Sequence, residues 1–288
     1  MNKVTNDLNK RLSGSTIFIS ASIPDQERWK GSFDPLGITD AVVAVARAVL
    51  QNGGKLVTAA HPTIAPLLLY VATEQLGKYD ISTEQLGEND QQIIVYQSRA
   101  FKDVLPVATK RYQDEGIGKI KWTARIGKEP PDPKRAPKSL KEMRCQMLKE
   151  SKPVAAVFIG GMEGISDEYN LFHKLYPASP VYALKRPGGE ARTIVDELPD
   201  KLAESDIYST VARYVVDDIA SKTSKSVKSP KASKSAKASK SVKSAKASKS
   251  AKLSNKFKAR RGPKTIEVIK APKVIKASKS ASLSMGTD

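Results

Sequence analysis

The sequence holds a single cysteine, Cys145, in 288 residues. No intramolecular disulfide can form, no cysteine-based metal cluster is available, and a reducing interior such as the cytoplasm is the expected compartment. Histidine is nearly as scarce, with His61 and His173 making up the whole complement. With no paired acidic motif beside them, no metal site and no cofactor are expected. No Ser-His-Asp arrangement is legible either. Long hydrophobic runs are missing. Stretches such as Ala65–Ala72 fall far short of the ~20 apolar residues of a bilayer span, so no membrane span is expected. Met1–Arg11 is polar and mixed in charge, without the apolar core of a signal peptide.

Acidic residues are absent where basic ones are dense. Residues 222–288 hold 20 Lys+Arg against two acids, Glu267 and Asp288, so they carry +18 of the formal +19 and leave about +1 for residues 1–221. From Lys222 to Lys252 a lysine falls at every third position, with Ser, Ala and Val between. Dense like charge with few large apolar residues is the composition of a disordered segment. Three parts follow: a polar lead-in at 1–15, a folded body at 16–221 and a disordered polycationic tail at 222–288. The tail is expected to bind nucleic acid or another polyanion non-specifically by counterion release, and an association with nucleoid or nucleus would follow from it. In composition it resembles the lysine-rich tails of linker histones.

The body alternates strand-like and helix-like segments. Strands are expected at Thr16–Ser20, Leu56–Thr58, Ile93–Tyr96, Ile120–Ala124, Val154–Ile159 and Val181–Leu184. Helices are expected from a Thr39 cap to about Gln51, over Ile64–Leu76 and Pro106–Glu115, from a Ser139–Glu142 capping box through Leu148, from the Gly160-Gly161 turn to about Leu175, over Ala191–Leu198, and from a Ser205 cap to about Ala220. Tyr79–Gln91 reads as a polar excursion and Gly127–Ser139 as a Pro- and Lys-rich loop. Such alternation predicts an α/β fold with a doubly wound parallel sheet. Ligands in such sheets bind beyond the carboxyl ends of the strands. The residues expected there are Ser20, Ser22, Thr58, His61, Gln97, Ser98, Gly160, Gly161, Glu163, Gly164 and the Pro187 turn with Gly188 and Gly189, with Lys185 and Arg186 beside them and Arg144 as a cation that can neutralise a phosphate. Small, hydroxyl and amide side chains suit hydrogen bonding to a polar ligand. The apolar run Val154–Ile159, broken by two glycines and followed by a helix start, has the layout of a phosphate cradle.

Taken together, Ser20–Pro24, Gly54–Ile64 with its His61-Pro62 pair, Gln97-Ser98, Ser139–Arg144 and Phe158–Ile165 with Gly-Gly-Met-Glu-Gly resemble the SLOG superfamily, over roughly Ser15–Ala220. This is the Rossmann-like group that contains the Smf/DprA proteins and the LOG phosphoribohydrolases. The resemblance implies a Rossmann-like domain that binds nucleotides or nucleotide-derived ligands, with sensor-type branches reading NAD- or ADP-ribose-like signals. It also implies catalytic counterparts in Arg144 and Glu168, should the chain act as LOG enzymes do. One extra residue separates the glycine pair from Glu168 relative to the LOG pattern. A residue turns a helix by about 100°, so this spacing predicts a Glu168 that points away from the ligand.

Three functions are therefore expected in order: a sensor of a nucleotide-derived small molecule with a nucleic-acid-binding tail, a nucleoside-monophosphate phosphoribohydrolase of LOG type, and a DNA-binding protein of Smf/DprA type. A sensor without a visible effector domain needs a partner or self-assembly.

Overall fold

The computed structural model describes residues 10–78 and 91–228. The expected excursion after Lys78, the first part of the lead-in and the lysine repeat beyond Lys228 lie outside the described residues. Six strands form one sheet: β1 (Thr16–Ser22), β2 (Lys55–Ala59), β3 (Ile93–Ser98), β4 (Gly118–Thr123), β5 (Ala155–Gly160) and β6 (Val181–Leu184). Their order is β4-β3-β2-β1-β5-β6, and every neighbouring pair is parallel. The connecting helices are α1 (Pro35–Gln51), α2 (Ala65–Lys78), α3 (Val107–Asp114), α4 (Pro137–Ser151), α5 (Glu163–Leu175), α6 (Asp200–Ala203) and α7 (Tyr208–Lys228). The doubly wound parallel sheet is thus present with all six expected strands.

The strands are apolar on both sides because both faces are covered. Ile17, Ile19, Val157 and Ile159 pack with residues of α1, α2, α3 and α7. Their neighbours Phe18, Ala156 and Phe158 pack with Met143, Met147, Ile165 and Phe172 of α4 and α5. On this second face Phe18 meets Phe158 edge-on at 5.9 Å and stacks near Phe172 at 6.3 Å. The chain leaves β1 toward β2, β3 and β4, then crosses through α4 to β5 on the other side of β1. The direction of winding reverses between β1 and β5, and this is the place where a doubly wound sheet opens a ligand crevice.

Two helix starts differ from expectation because another residue supplies the cap. α1 begins at Pro35, not after Thr39. Asp34 caps it, its Oδ1 accepting from Leu36 N at 3.0 Å, and the fixed φ of Pro35 suits the first helical position. α4 begins at Pro137, and Ser139 is not its cap. The Glu129 carboxylate, ten residues upstream, accepts from Lys138 N at 3.1 Å and Ser139 N at 2.7 Å. The helix expected over Ala191–Leu198 is only a 3-10 turn at Glu190–Thr193. Beyond it Asp196 Oδ1 turns the chain by accepting from Leu198 N at 2.7 Å, and Glu197 N bonds back to Val181 O at 2.8 Å. Ser205 Oγ accepts from Ile207 N at 3.1 Å, a turn just ahead of α7 and not a cap on its first-turn amides, and the helix continues through Lys228, past residue 221. Lys222 is part of it and bridges Asp218 at 2.7 Å and Glu197. The lead-in also joins the fold, since Leu12 is fully buried in the core.

Candidate functional site

β1 and β5 run in register from Ile17 opposite Ala155 to Ser22 opposite Gly160, so their carboxyl ends finish side by side. Gly160, with φ 64°, turns the chain off the end of β5. A Cβ here would lie 2.6 Å from both Ser22 O and Ile38 Cδ1. Gly189, with φ 73°, sits against it, and its Cβ would fall 2.5 Å from the Gly160 carbonyl carbon. Two glycines are therefore required for three chain segments to meet at one point. Backbone bonds lock the junction: Gly161 N to Ser22 O at 2.7 Å, Glu190 N to Gly161 O at 2.9 Å and Gly189 N to Ser32 O at 3.1 Å. The Gly161 amide, expected to face a phosphate, is consumed in this way. The donors left beside it belong to α5, whose first turn receives no side-chain cap. Glu163 is exposed at its first position.

α5 carries a buried stripe of Ile165, Glu168 and Phe172, spaced at i, i+3 and i+7. Glu168 is thereby turned inward, against the expectation drawn from the extra residue. The turn absorbs that residue: Gly160 and Gly161 take positive φ, Met162 is extended, and the helix starts only at Glu163. The buried Glu168 carboxylate is held on both oxygens. Ser20 Oγ donates to Oε2 at 2.5 Å, and Arg144 Nε donates to Oε1 at 3.0 Å. Arg144 Nη1 also reaches Asp167 Oδ2 at 3.1 Å. The Arg144 and Glu168 side chains are 18% and 10% exposed, whereas Asp167 is 70% exposed. Arg144 Nη2 lies over the first turn of α5, where a Cβ on Gly164 would be 2.8 Å from it. One guanidinium thus has its Nε edge fixed from below, Nη1 held from solvent, and Nη2 beside the uncapped helix start.

The structure brings Ser20, Ser22, Arg144, Gly160, Gly161, Gly164, Glu168 and Gly189 to one place, with Gly188 on the adjoining turn. His61 reaches only its flank. Its Nδ1 lies 2.9 Å from Thr63 Oγ1, and that oxygen accepts from Ile23 N, just past β1, at 3.3 Å. Burial lowers the imidazole to about 4, which keeps the ring neutral. Gln97 and Ser98 lie at the end of β3, separated from β1 by β2, and serve their own backbone. Gln97 Oε1 accepts from Ser98 N at 2.9 Å, and Ser98 Oγ accepts from Ala100 N at 3.2 Å. Lys185 pairs with the buried Asp196 at 2.9 Å, so its charge is committed. Sequence reasoning missed Asp167 and the contact in which Ser166 Oγ donates to Glu190. That contact ties α5 to the Pro187-Gly188-Gly189 turn, and no local pattern announces it.

No curated protein matches the chain. Among solved structures, the X-ray structure of TM1055, a structural-genomics target, aligns with 71% of this chain and 99% of its own at 10% identity and a TM-score of 0.43. A model of the SLOG cluster3 family matches residues 28–215, from the loop after β1 through the glycine junction and the Arg144–Glu168 pair into α7, and the chain belongs to that family.

Proposed function

We propose that the domain binds a nucleotide-derived small molecule, of NAD- or ADP-ribose-like chemistry, over the carboxyl ends of β1 and β5, and that it acts as a sensor. The observation that carries this reading is the uncapped first turn of α5 lying beside Arg144 Nη2 at the winding reversal. A helix start and a guanidinium together favour a phosphate through dipole, amide donors and charge. Binding is favoured over hydrolysis because the Glu168 carboxylate is buried and already anchors Ser20 and Arg144. A general base needs a lone pair within reach of the proton it takes. The lysine repeat after residue 228 adds non-specific contact with nucleic acid.

Titration with NAD, ADP-ribose and AMP under thermal melting tests the reading. A ligand at ~100 times its Kd stabilises by about 2.7 kcal/mol, or about 5–10 °C for a body of this size. Gly164→Ala places a methyl 2.8 Å from Nη2, close enough to push the guanidinium aside, and should abolish most of that shift. Its own unliganded stability should stay within about 1 kcal/mol, since the displaced group is the end of a long side chain and alanine favours the helix. No shift with any of the three compounds would count against binding. Release of free base would replace the sensor by a phosphoribohydrolase.

A further inference from the structure

The loop between β4 and α4 offers a second surface, independent of the crevice. It runs from Ala124 to Ala136 on the same edge of the sheet and includes Pro130, Pro131 and Pro133. It is firmly tied. Ser98 Oγ donates to Ala124 O at 3.4 Å, Ile126 N donates to Ser139 Oγ at 2.9 Å, and Arg135 N donates to Asp132 O at 3.0 Å. Its two acids are spent on the backbone. Glu129 caps α4 through both oxygens, and Asp132 Oδ1 accepts from Lys134 N at 2.9 Å. Burial pushes the Glu129 carboxyl up, but hydrogen bonds from Ser139 and Lys138 outweigh it and hold the group below its usual range, so it stays ionised in the cap. Arg125, Lys128, Lys134 and Arg135 are exposed, and none of the four makes an ion pair with another described residue. Four exposed cations against two acids tied to backbone amides give this proline-stiffened loop a net charge of +2 within a body whose net charge is close to zero.

We infer that this loop docks the phosphate backbone of a nucleic-acid strand, so that the folded domain contributes contacts of its own beside those of the lysine repeat. The backbone beneath these four cations is already ordered, so only their side chains lose freedom on meeting phosphates, and each neutralised phosphate releases a counterion. An anionic bilayer is the competing polyanion. Its surface charge attracts each Lys or Arg of a basic segment, and among the loop's large apolar residues Ile126, 36% exposed, is the one that could insert beside the charges to strengthen such a contact.

The full chain is titrated against a fluorescent oligothymidylate of about 20 nucleotides by anisotropy, from about 0.05 to 0.3 M KCl. Replacing Arg125, Lys128, Lys134 and Arg135 by glutamine should make the slope of log K against log salt shallower by about 2 to 3, at about 0.7 per lost contact on a single strand, and weaken binding at least ~100-fold at 0.1 M. A control quartet, Lys149→Gln, Lys174→Gln, Lys201→Gln and Arg213→Gln, removes the same charge from α4's last turn, α5's last turn, α6 and α7, and should leave the slope within about 0.5 of the parent. Equal losses in the two quartets would overturn the proposal, as would an unchanged slope in the loop quartet. Loss of binding to phosphatidylserine vesicles with oligonucleotide binding intact would overturn it in favour of a membrane surface. Should the loop quartet lose cooperative melting, Lys134→Gln with Arg135→Gln applies the same test at half the slope change.

Discussion

Replacing Glu168 by glutamine tests the centre of the site. The amide matches the carboxylate in shape and keeps one oxygen for Arg144 Nε, while the Ser20 hydroxyl turns to accept where it now donates. The loss is therefore charge and not volume. Hydrogen bonds to a charged group are worth about 1.5–3 kcal/mol, and two such bonds meet on this carboxylate at 2.5 and 3.0 Å. Arg144 keeps Asp167, but that partner is 70% exposed and its pairing is largely screened. The expected destabilisation is about 2 kcal/mol, seen as a fall of about 4–8 °C in melting temperature. Glu168→Ala should cost more, about 3 kcal/mol, because it strands a largely buried guanidinium. Ser20→Ala should cost about 1–2 kcal/mol, and the cycle of Ser20→Ala with Glu168→Gln should show coupling above about 0.5 kcal/mol. Urea unfolding of the full chain followed by circular dichroism measures all of these. A Glu168→Gln change below about 0.5 kcal/mol, the range of an ordinary surface substitution, would refute the view that the carboxylate is a buried, doubly bonded anchor.

Two further outcomes follow from the same region. Gly189→Ala adds a Cβ 2.5 Å from the Gly160 backbone at a φ of 73°, where no flexible group can yield. It should cost at least ~3 kcal/mol, measured by urea unfolding, and a loss under about 1 kcal/mol would mean the turn shifts freely. His61 titrates at about 4 in the fold against 6.5 for an ordinary imidazole. The unfolded chain binds the proton first, so stability falls as pH drops from about 6.5 to about 4 and is fully present above that window. The whole interval corresponds to ~3 kcal/mol, and the exposed edge of the half-buried ring should reduce this to about 1–2. His61→Gln should flatten the melting profile across that window, and an unchanged profile would exclude the imidazole as its source.

The sheet was legible because its signals are local and redundant. Val154–Ile159 is apolar throughout since α1 covers one side of β5 and α5 the other, and the two glycines after it stop the strand whatever surrounds them. The helix starts were less legible because the capping groups compete over distance. A window around Ser139 shows a capping box, and nothing in that window shows Glu129, which reaches the same amides across a loop. Gln97 and Ser98 read as ligand donors because polar side chains at a strand end have two uses, and a backbone amide one or two residues away is as good a partner as a ligand. Glu168 was misplaced for a different reason. Its orientation was counted from the glycines, whereas the buried stripe of Ile165 and Phe172 sets the phase of α5. Three- and four-residue spacing about Glu168 was present in the sequence and points it inward.

The arrangement around Arg144 also bears on how tightly an anion would be held. Its charge is opposed by two carboxylates of very different standing. Glu168 is buried, bonded by Ser20, and fixes the guanidinium along its Nε edge. Asp167 touches only Nη1, and most of it stands in solvent. A phosphate at the proposed site would meet Nη2 and the first-turn amides, and it would face the exposed carboxylates of Asp167 and Glu163. Displacing a screened surface carboxylate costs little, so the site opens without disturbing the buried pair. The same neutralisation limits the gain, because the incoming anion faces a cation already half satisfied. On the proposed reading, modest and reversible affinity from a guanidinium that does not have to move would suit a concentration signal better than the capture of a substrate beside a buried carboxylate that anchors Ser20 and Arg144.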